Sequence, residues 1–220
     1  MSSECTEEGG DKGITKCLTD ADIEDLTASV GGCRIMRYLE MSQQENIDEL
    51  FSKNNCIALL YLTKSENFGH WTALIRDEAK HTIYFFDSYG KYPDYTLIKV
   101  VEELKEQLNM TRNYLAKLLL GAMEQEGWTI DYSDHRLQKT GKGVNTCGRW
   151  VAARILRKEL SNDEFANLFH TDNPKERMDP DFLVTAWTDH LLKGIKGDQL
   201  KASGGGMSKP TKKNIPSFFL

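Results

Sequence analysis

Between Asn55 and Asp87 three apolar runs follow one another, and any fold for this chain must be built around them. The first, NCIALLYLT over Asn55–Thr63, is continuous rather than alternating, with turn residues before it and polar residues after it. Such a run predicts a central strand buried on both faces. The next two are HWTALIR over His70–Arg76 and HTIYFFD over His81–Asp87, separated by a polar turn at Asp77–Lys80. They predict a β-hairpin. With the turn centred between Glu78 and Ala79, position 70 stands opposite position 87. Directly opposed residues lie about 4.5–5.5 Å apart at Cα, so the hairpin alone brings His70 beside Asp87.

A second stretch, LQKTGKGVNTCGRW over Leu137–Trp150, leads into a helix. Cys147, Trp150, Val151 and Ile155 recur at three- and four-residue spacing on one stripe, and Ala152, Ala153 and Leu156 make much of the other side apolar. A largely buried helix is expected. Gly141 and Gly143, with Asn145 and Thr146, make the preceding segment a loop. A cysteine in the first turn meets free N–H groups and the positive end of the helix dipole, and both favour the nucleophilic thiolate. Taken alone, the pattern fits a buried structural cysteine better, since that is what most cysteines are.

The remaining chain reads as helices and short strands around these two stretches. LTDADIEDL over Leu18–Leu26 predicts a helix capped by Thr19 or Asp20 and stopped by Gly31-Gly32. Cys33–Leu39 reads as a short strand and Asn46–Lys53 as a helical turn or two. Thr96–Met110 has Leu97, Val100, Val101, Leu104 and Leu108 at amphipathic spacing, and Arg112–Met123 predicts a helix stopped near Gly127. Trp128–Tyr132 is a strand candidate, and Asn162–His170 and Pro180–Lys193 are helices. The second of these carries Phe182, Leu183, Ala186, Trp187 and His190 on one stripe, read as core. From Gly194 the composition turns to glycine, serine and lysine, read as a flexible linker and tail. The expected organisation is an extended or disordered segment at 1–17, one α+β domain at 18–193 and a tail at 194–220. In that domain a central mixed β-sheet is packed by helices, with Cys147 at the N-terminus of a buried one.

Several function classes are excluded at this level. The chain of 220 residues has a formal charge of -5, which argues against a stand-alone nucleic-acid binder and gives no ground for expecting a DNA or peptide activator. No apolar run approaches a membrane span, and the polar, acidic Met1–Gly13 is no signal peptide. The five cysteines form no CxxC pair and are odd in number, which suits free thiols in a reducing compartment. There is no HExxH and the histidines are scattered singly, so neither a metal nor another cofactor is expected.

A thiol peptidase needs a cysteine, a histidine to take its proton, a group to orient that histidine, and donors for the oxyanion. The candidates occur in the order His70, Asp87, Gln138, Cys147. His70 follows Gly69 at the start of a strand, Asp87 ends the neighbouring strand, and Gln138 is an uncharged donor a loop away from Cys147. Trp71 stands beside His70 to shield the ion pair, and Trp71 and Gly148 are the candidate substrate-binding residues. Asp134 and His135 form a rival pair that no strand pairing brings together.

GHWTAL, then FFDSYG, then a glutamine upstream of NTCGRW resembles the His-Trp, Asp-Ser, Gln, Cys-Gly pattern of the adenain and ubiquitin-like-protein peptidase clan. The resemblance covers roughly Asn55–Lys158 and extends weakly to LTDADIEDL. Within the clan the chain is most similar to maturation proteases of adenovirus, large DNA viruses and virophages. The resemblance implies thiol peptidase activity without a metal, on bonds that follow Gly-Gly or Gly-X-Gly, acting on capsid precursors in a virion, host cytoplasm or viral factory. A monomer is expected, with a protein substrate as its partner and no membrane. One departure is that the family glutamine lies closer to the cysteine, where this chain has Thr140; Gly141 and Gly143 can absorb the extra residues.

Other readings stay open. A deconjugating peptidase for ubiquitin-like modifiers needs a broad docking surface, and a protein acyltransferase needs a basic cofactor-binding region that the chain does not display. An inactive scaffold fits poorly, because all four candidate side chains are present. Gly204, Gly205 and Gly206 read as a linker or as a self-cleavage site, since glycine alone fits a narrow tunnel to the thiolate. A basic run at Lys209–Lys213 and a Phe218-Phe219-Leu220 end follow.

Overall fold

The computed structural model describes residues 14–65, 68–100, 102–107, 110–141, 143–170 and 178–203. The apolar runs become the interior of one sheet. Strands β1 (Arg34–Arg37), β2 (Cys56–Ser65), β3 (Phe68–Asp77), β4 (Thr82–Phe86) and β5 (Thr129–Tyr132) lie across it in that order. β1 runs parallel to β2, the β2–β3 and β3–β4 pairs are antiparallel, and β4 runs parallel to β5. The sheet is therefore mixed, and the architecture is α+β. Cys56 through Leu62 are buried without alternation, as expected for a strand with neighbours on both edges and helices or loops on both faces. The middle place belongs to β3 rather than β2.

The hairpin differs from its expected register by two residues. Ala73 pairs with Phe86 and Asp77 with Thr82, so the turn is a four-residue loop and not one centred on Glu78 and Ala79. His81 explains the difference. It adopts a left-handed conformation (φ 50°), donates its N–H to the Glu78 carbonyl and stacks its ring on Trp128 at 4.0 Å. It is a loop residue, not the first residue of the strand. Because the slip is even, every side chain keeps its face, and positions 70 and 87 become diagonal neighbours instead of opposed ones.

Seven α-helices surround the sheet among the described residues. α1 (Asp20–Thr27) starts at a Thr19–Asp22 capping box, and α2 (Ile47–Leu50) is a single turn. The helix expected over Thr96–Met110 is broken. A 3₁₀ turn at Tyr95–Lys99 ends at Val100 in extended conformation, and α3 (Glu102–Gln107) follows. Successive β-branched valines at 100 and 101 favour such a break, and it leaves Leu97 and Val100 buried; Val101 and Leu108 lie outside the described residues. α4 (Tyr114–Glu126) ends at Gly127 as expected.

α5 (Cys147–Leu156) packs on β3 and is flanked by α1. Every residue from Gly148 to Ile155 is buried, including Arg149 and Arg154. Both guanidiniums are hydrogen-bonded, and Arg149 is also ion-paired, as burial demands. Arg149 reaches the Thr188 hydroxyl at 2.6 Å and Asp189 at 2.7 Å. Arg154 donates to Asn162 and to the carbonyls of Arg157 and Leu160. α6 (Asn162–Asn167) opens with a Ser161–Glu164 capping box.

α7 (Pro180–Ser203) corrects two expectations. It runs on through Gly194 and Gly197, where a linker was expected. Each glycine costs roughly 1 kcal/mol of helix propensity, and burial of Leu192 against the core with the Lys196–Asp22 ion pair (3.1 Å) offsets it. Its buried face is Asp181, Val184, Thr185, Trp187, Thr188 and Leu192, whereas Phe182, Ala186 and His190 point outward. On that face Thr188 serves Arg149 and Asp181 serves the loop before α5, which an apolar stripe could not reveal. Gly204, Gly205 and Gly206 and the rest of the tail lie outside the described residues.

Cys33, Cys56 and Cys147 are free thiols; Cys17 is disulfide-bonded, against the expectation of thiols throughout. Among the described residues no helix is long and apolar enough to cross a membrane.

Candidate active site

His70 enters the site from the start of β3, where it pairs with Tyr61 of β2. The strand approaches β2 so closely at the preceding residue that a side chain on Gly69 would run into the Tyr61 backbone carbonyl, so glycine is required there. Asp87 is the first residue past β4. Its carbonyl closes a turn to the Gly90 N–H, and its Oδ1 accepts the Tyr89 N–H at 2.8 Å. Gly90 has φ 65°, and a Cβ there would clash with the backbone of Asp134. The turn that aims Asp87 is thus held from outside as well as from within.

The His70 Nε2 donates to Asp87 Oδ1 at 3.0 Å, and both side chains are buried. This bond fixes the tautomer and leaves Nδ1 to face the Cys147 thiol, with which the imidazole is hydrogen-bonded. Burial alone would lower the His70 pKa. The charge and hydrogen bond of Asp87, joined by the Cys147 thiolate, outweigh it and push the value up to about 10. Burial likewise raises the Cys147 thiol, but the His70 hydrogen bond and charge and the backbone N–H groups of Trp71 and Gly148 bring it below an ordinary thiol. The favoured state is a thiolate–imidazolium pair, the nucleophilic form of a cysteine. As a residue Cys147 is half-buried.

Tyr89 covers this pair. Its ring stacks on His70 at 4.9 Å, and burial, with the charges of Cys147 and Asp87, raises the phenol well above its usual range. Tyr89 stands where Trp71 was expected to shield the pair. The buried Trp71 indole lies instead against the first turn of α5, where a Cβ on Gly148 would meet its Cδ1 at 3.3 Å.

Gln138 is 1 % exposed and is placed by Ser88, the neighbour of Asp87. Ser88 donates its hydroxyl to Gln138 Oε1 at 2.7 Å, and its carbonyl accepts the N–H groups of Leu137 and Gln138. With Oε1 occupied, the donor Nε2 is the end left for another acceptor. Asp87 and Gln138 are thus tied to the same short turn, although they are 51 residues apart.

The rival histidine goes elsewhere. His135 bonds Asp163 at 2.8 Å, with Asp134 at 3.8 Å, on the exposed side of the loop. Their ligand atoms lie within 4.8 Å of one another, but exposed acidic groups gather in this way without a metal.

Ser88, Tyr89 and Asp181 escaped the sequence reading. Ser88 and Tyr89 stand beside Asp87, a position that makes them natural suspects. Asp181 gave no local signal beyond an acidic first turn.

No protein-family model matches the chain. It is 33% identical over 154 residues to the uncharacterized protein V9 of Sputnik virophage, covering 70% of this chain and 85% of that one. Among solved structures it is similar to the ASFV pS273R protease, at a TM-score of 0.40 and 16% identity over 79% of this chain and 70% of that one. It is also similar to the C-terminal Ulp1 protease domain in complex with Smt3, the yeast ortholog of SUMO. There the TM-score is 0.40 and the identity 15%, over 85% of this chain and 80% of that chain.

Proposed function

Since the chain belongs to the family of the Sputnik virophage V9 protein, and since a buried His70–Asp87 pair faces a thiol at the start of a helix, we propose that it is a cysteine peptidase. The contact of His70 with both Asp87 and Cys147 carries this reading. The Cys147 thiolate attacks the scissile carbonyl. The tetrahedral oxyanion is held by the Cys147 N–H, which lacks an intrahelical acceptor, and by Gln138 Nε2. His70 protonates the leaving amine as the C–N bond breaks, giving a thioester. It then takes a proton from water, which attacks the thioester carbonyl and releases the acid and the thiol. Asp87 keeps the imidazole in the tautomer these steps need.

The substrate class we propose is the precursor of a viral structural protein, cut after Gly-Gly-type sequences. The virophage relative and the likeness of GHWTAL, FFDSYG and NTCGRW to viral maturation proteases support it. Self-cleavage at Gly204–Gly206 is part of the same proposal. The test is incubation of the wild-type chain and Cys147→Ala with viral structural-protein precursors and Gly-Gly peptides, read by mass spectrometry. Cleavage by the wild type alone is expected. Equal cleavage by both would refute the thiol mechanism, and activity confined to conjugates of a folded ubiquitin-like modifier would replace the substrate class.

A further inference from the structure

The two oxyanion donors named above come from different parts of the chain, and the described residues between them, 139–141 and 143–146, lie in no helix or strand. What that loop holds on to is on a third element. Asp181, in the first turn of α7, is 1 % exposed. Its Oδ2 accepts the backbone N–H of Lys139 at 2.9 Å, the residue directly after Gln138. Its Oδ1 accepts the hydroxyl of Thr146, the residue directly before Cys147, and also the indole N–H of Trp150 at 2.9 Å, one turn further along α5. One carboxylate therefore bonds the neighbour of each oxyanion donor, with a different oxygen for each side. Further anchors of the loop go elsewhere: Asn145 bonds the Ile14 and Thr15 backbone, Thr140 bonds Arg136, and the exposed Lys139 ammonium bonds Asp179, two residues before Asp181.

We propose that Asp181 is a positioning residue that sets the separation of Gln138 from Cys147, bridging the Gln138 loop to the first turn of the cysteine helix. The proposal rests on the peptidase reading and on Gln138 as an oxyanion donor. On this reading the spacing is set across space by α7 and not by chain length. The energetics favour such a device, because a misplacement of about 1 Å costs catalysis roughly 10²-fold.

Asp181→Asn tests it with almost no change of volume. If the amide oxygen stays on Thr146 and Trp150, which together offer two donors, the NH2 faces the Lys139 N–H donor to donor. The helix side is kept and the Gln138 side is released. Turnover of a Gly-Gly peptide is measured for wild type, Asp181→Asn, Gln138→Ala and the double variant, alongside alkylation of Cys147 by iodoacetamide across pH. We expect kcat to fall about 10- to 100-fold in Asp181→Asn with KM changed less than about 3-fold, because only transition-state stabilisation is lost. The alkylation profile should not move, since His70, Asp87 and Cys147 are untouched. Added to Gln138→Ala, the same change should cost less than about 3-fold more, the mark of action through that residue.

Wild-type kcat in Asp181→Asn, or an undiminished further loss in the Gln138→Ala background, overturns the proposal. So does a shifted alkylation profile, which would place the effect on the thiol. If Asp181→Asn does not fold, Thr146→Val removes one donor of the same bridge and must reproduce the pattern. Full activity in Gln138→Ala would overturn the peptidase assignment of Gln138 itself and this inference with it, whereas an impaired Gln138→Ala beside a fully active Asp181→Asn would overturn this inference alone.

Discussion

Among the described residues two histidines, His70 and His135, pair with aspartates, and the shorter contact is on the surface. His135 lies 2.8 Å from Asp163, with side chains 32% and 81% exposed; His70 lies 3.0 Å from Asp87, with side chains 11% and 2% exposed. Distance alone would rank them wrongly. What separates them is what else each histidine touches. His70 has a thiol on its other side and a tyrosine ring across its face, in surroundings where a fixed charge acts through a low dielectric. The exposed pair sits in water, where such an ion pair is worth roughly 0–1 kcal/mol. A histidine becomes chemically useful through burial and a third partner, not through a close carboxylate.

That contrast can be broken by removing the carboxylates one at a time. Asp87→Asn should lower turnover of a cleaved peptide about 10³–10⁴-fold, because the wrong imidazole tautomer is then favoured and the imidazolium loses its counter-charge. Gln138→Ala should cost about 10²–10³-fold, the usual range for one oxyanion donor. Asp163→Asn should leave turnover within about 2-fold and shift stability by at most ~0.5 kcal/mol. Steady-state kinetics and thermal denaturation read all three. An Asp163→Asn loss that approached that of Asp87→Asn would erase the distinction.

Much of the buried pair was legible because a hairpin is a local structure. The apolar runs on either side of Asp77–Lys80 put His70 and Asp87 on one face, and an error of two residues in the turn left that face unchanged. The cysteine helix was legible for a similar reason, since its apolar spacing is written in ten consecutive residues. Asp181 was not legible. Its partners, Lys139 and Trp150, are 42 and 31 residues away in sequence, and no periodicity encodes a contact between a loop and a distant helix turn. The buried face of α7 was misread for the same reason. Thr188 and Asp181 look solvent-facing on a hydrophobic scale, yet they are inside because Arg149 and the loop before α5 need acceptors. The extension of α7 past Gly194 is likewise a tertiary effect, in which packing outweighs local propensity.

Catalysis at this site depends on the buried pair activating Cys147. The direct measurement is the rate of Cys147 alkylation against pH in the wild type, Asp87→Asn and Asp163→Asn. His70 is raised to about 10 and the thiol is lowered below its ordinary 9.0, so the ion pair persists from the lowered thiol value up to about pH 10. As pH rises, the wild-type rate should reach a plateau well before pH 9 and stay high through neutral pH. In Asp87→Asn the imidazolium loses its support and the rise should move toward the pH of an ordinary thiol, while Asp163→Asn should trace the wild-type curve. A wild-type curve that rises only near pH 9, or one that Asp87→Asn leaves in place, would contradict the claim that His70 and Asp87 make Cys147 a nucleophile.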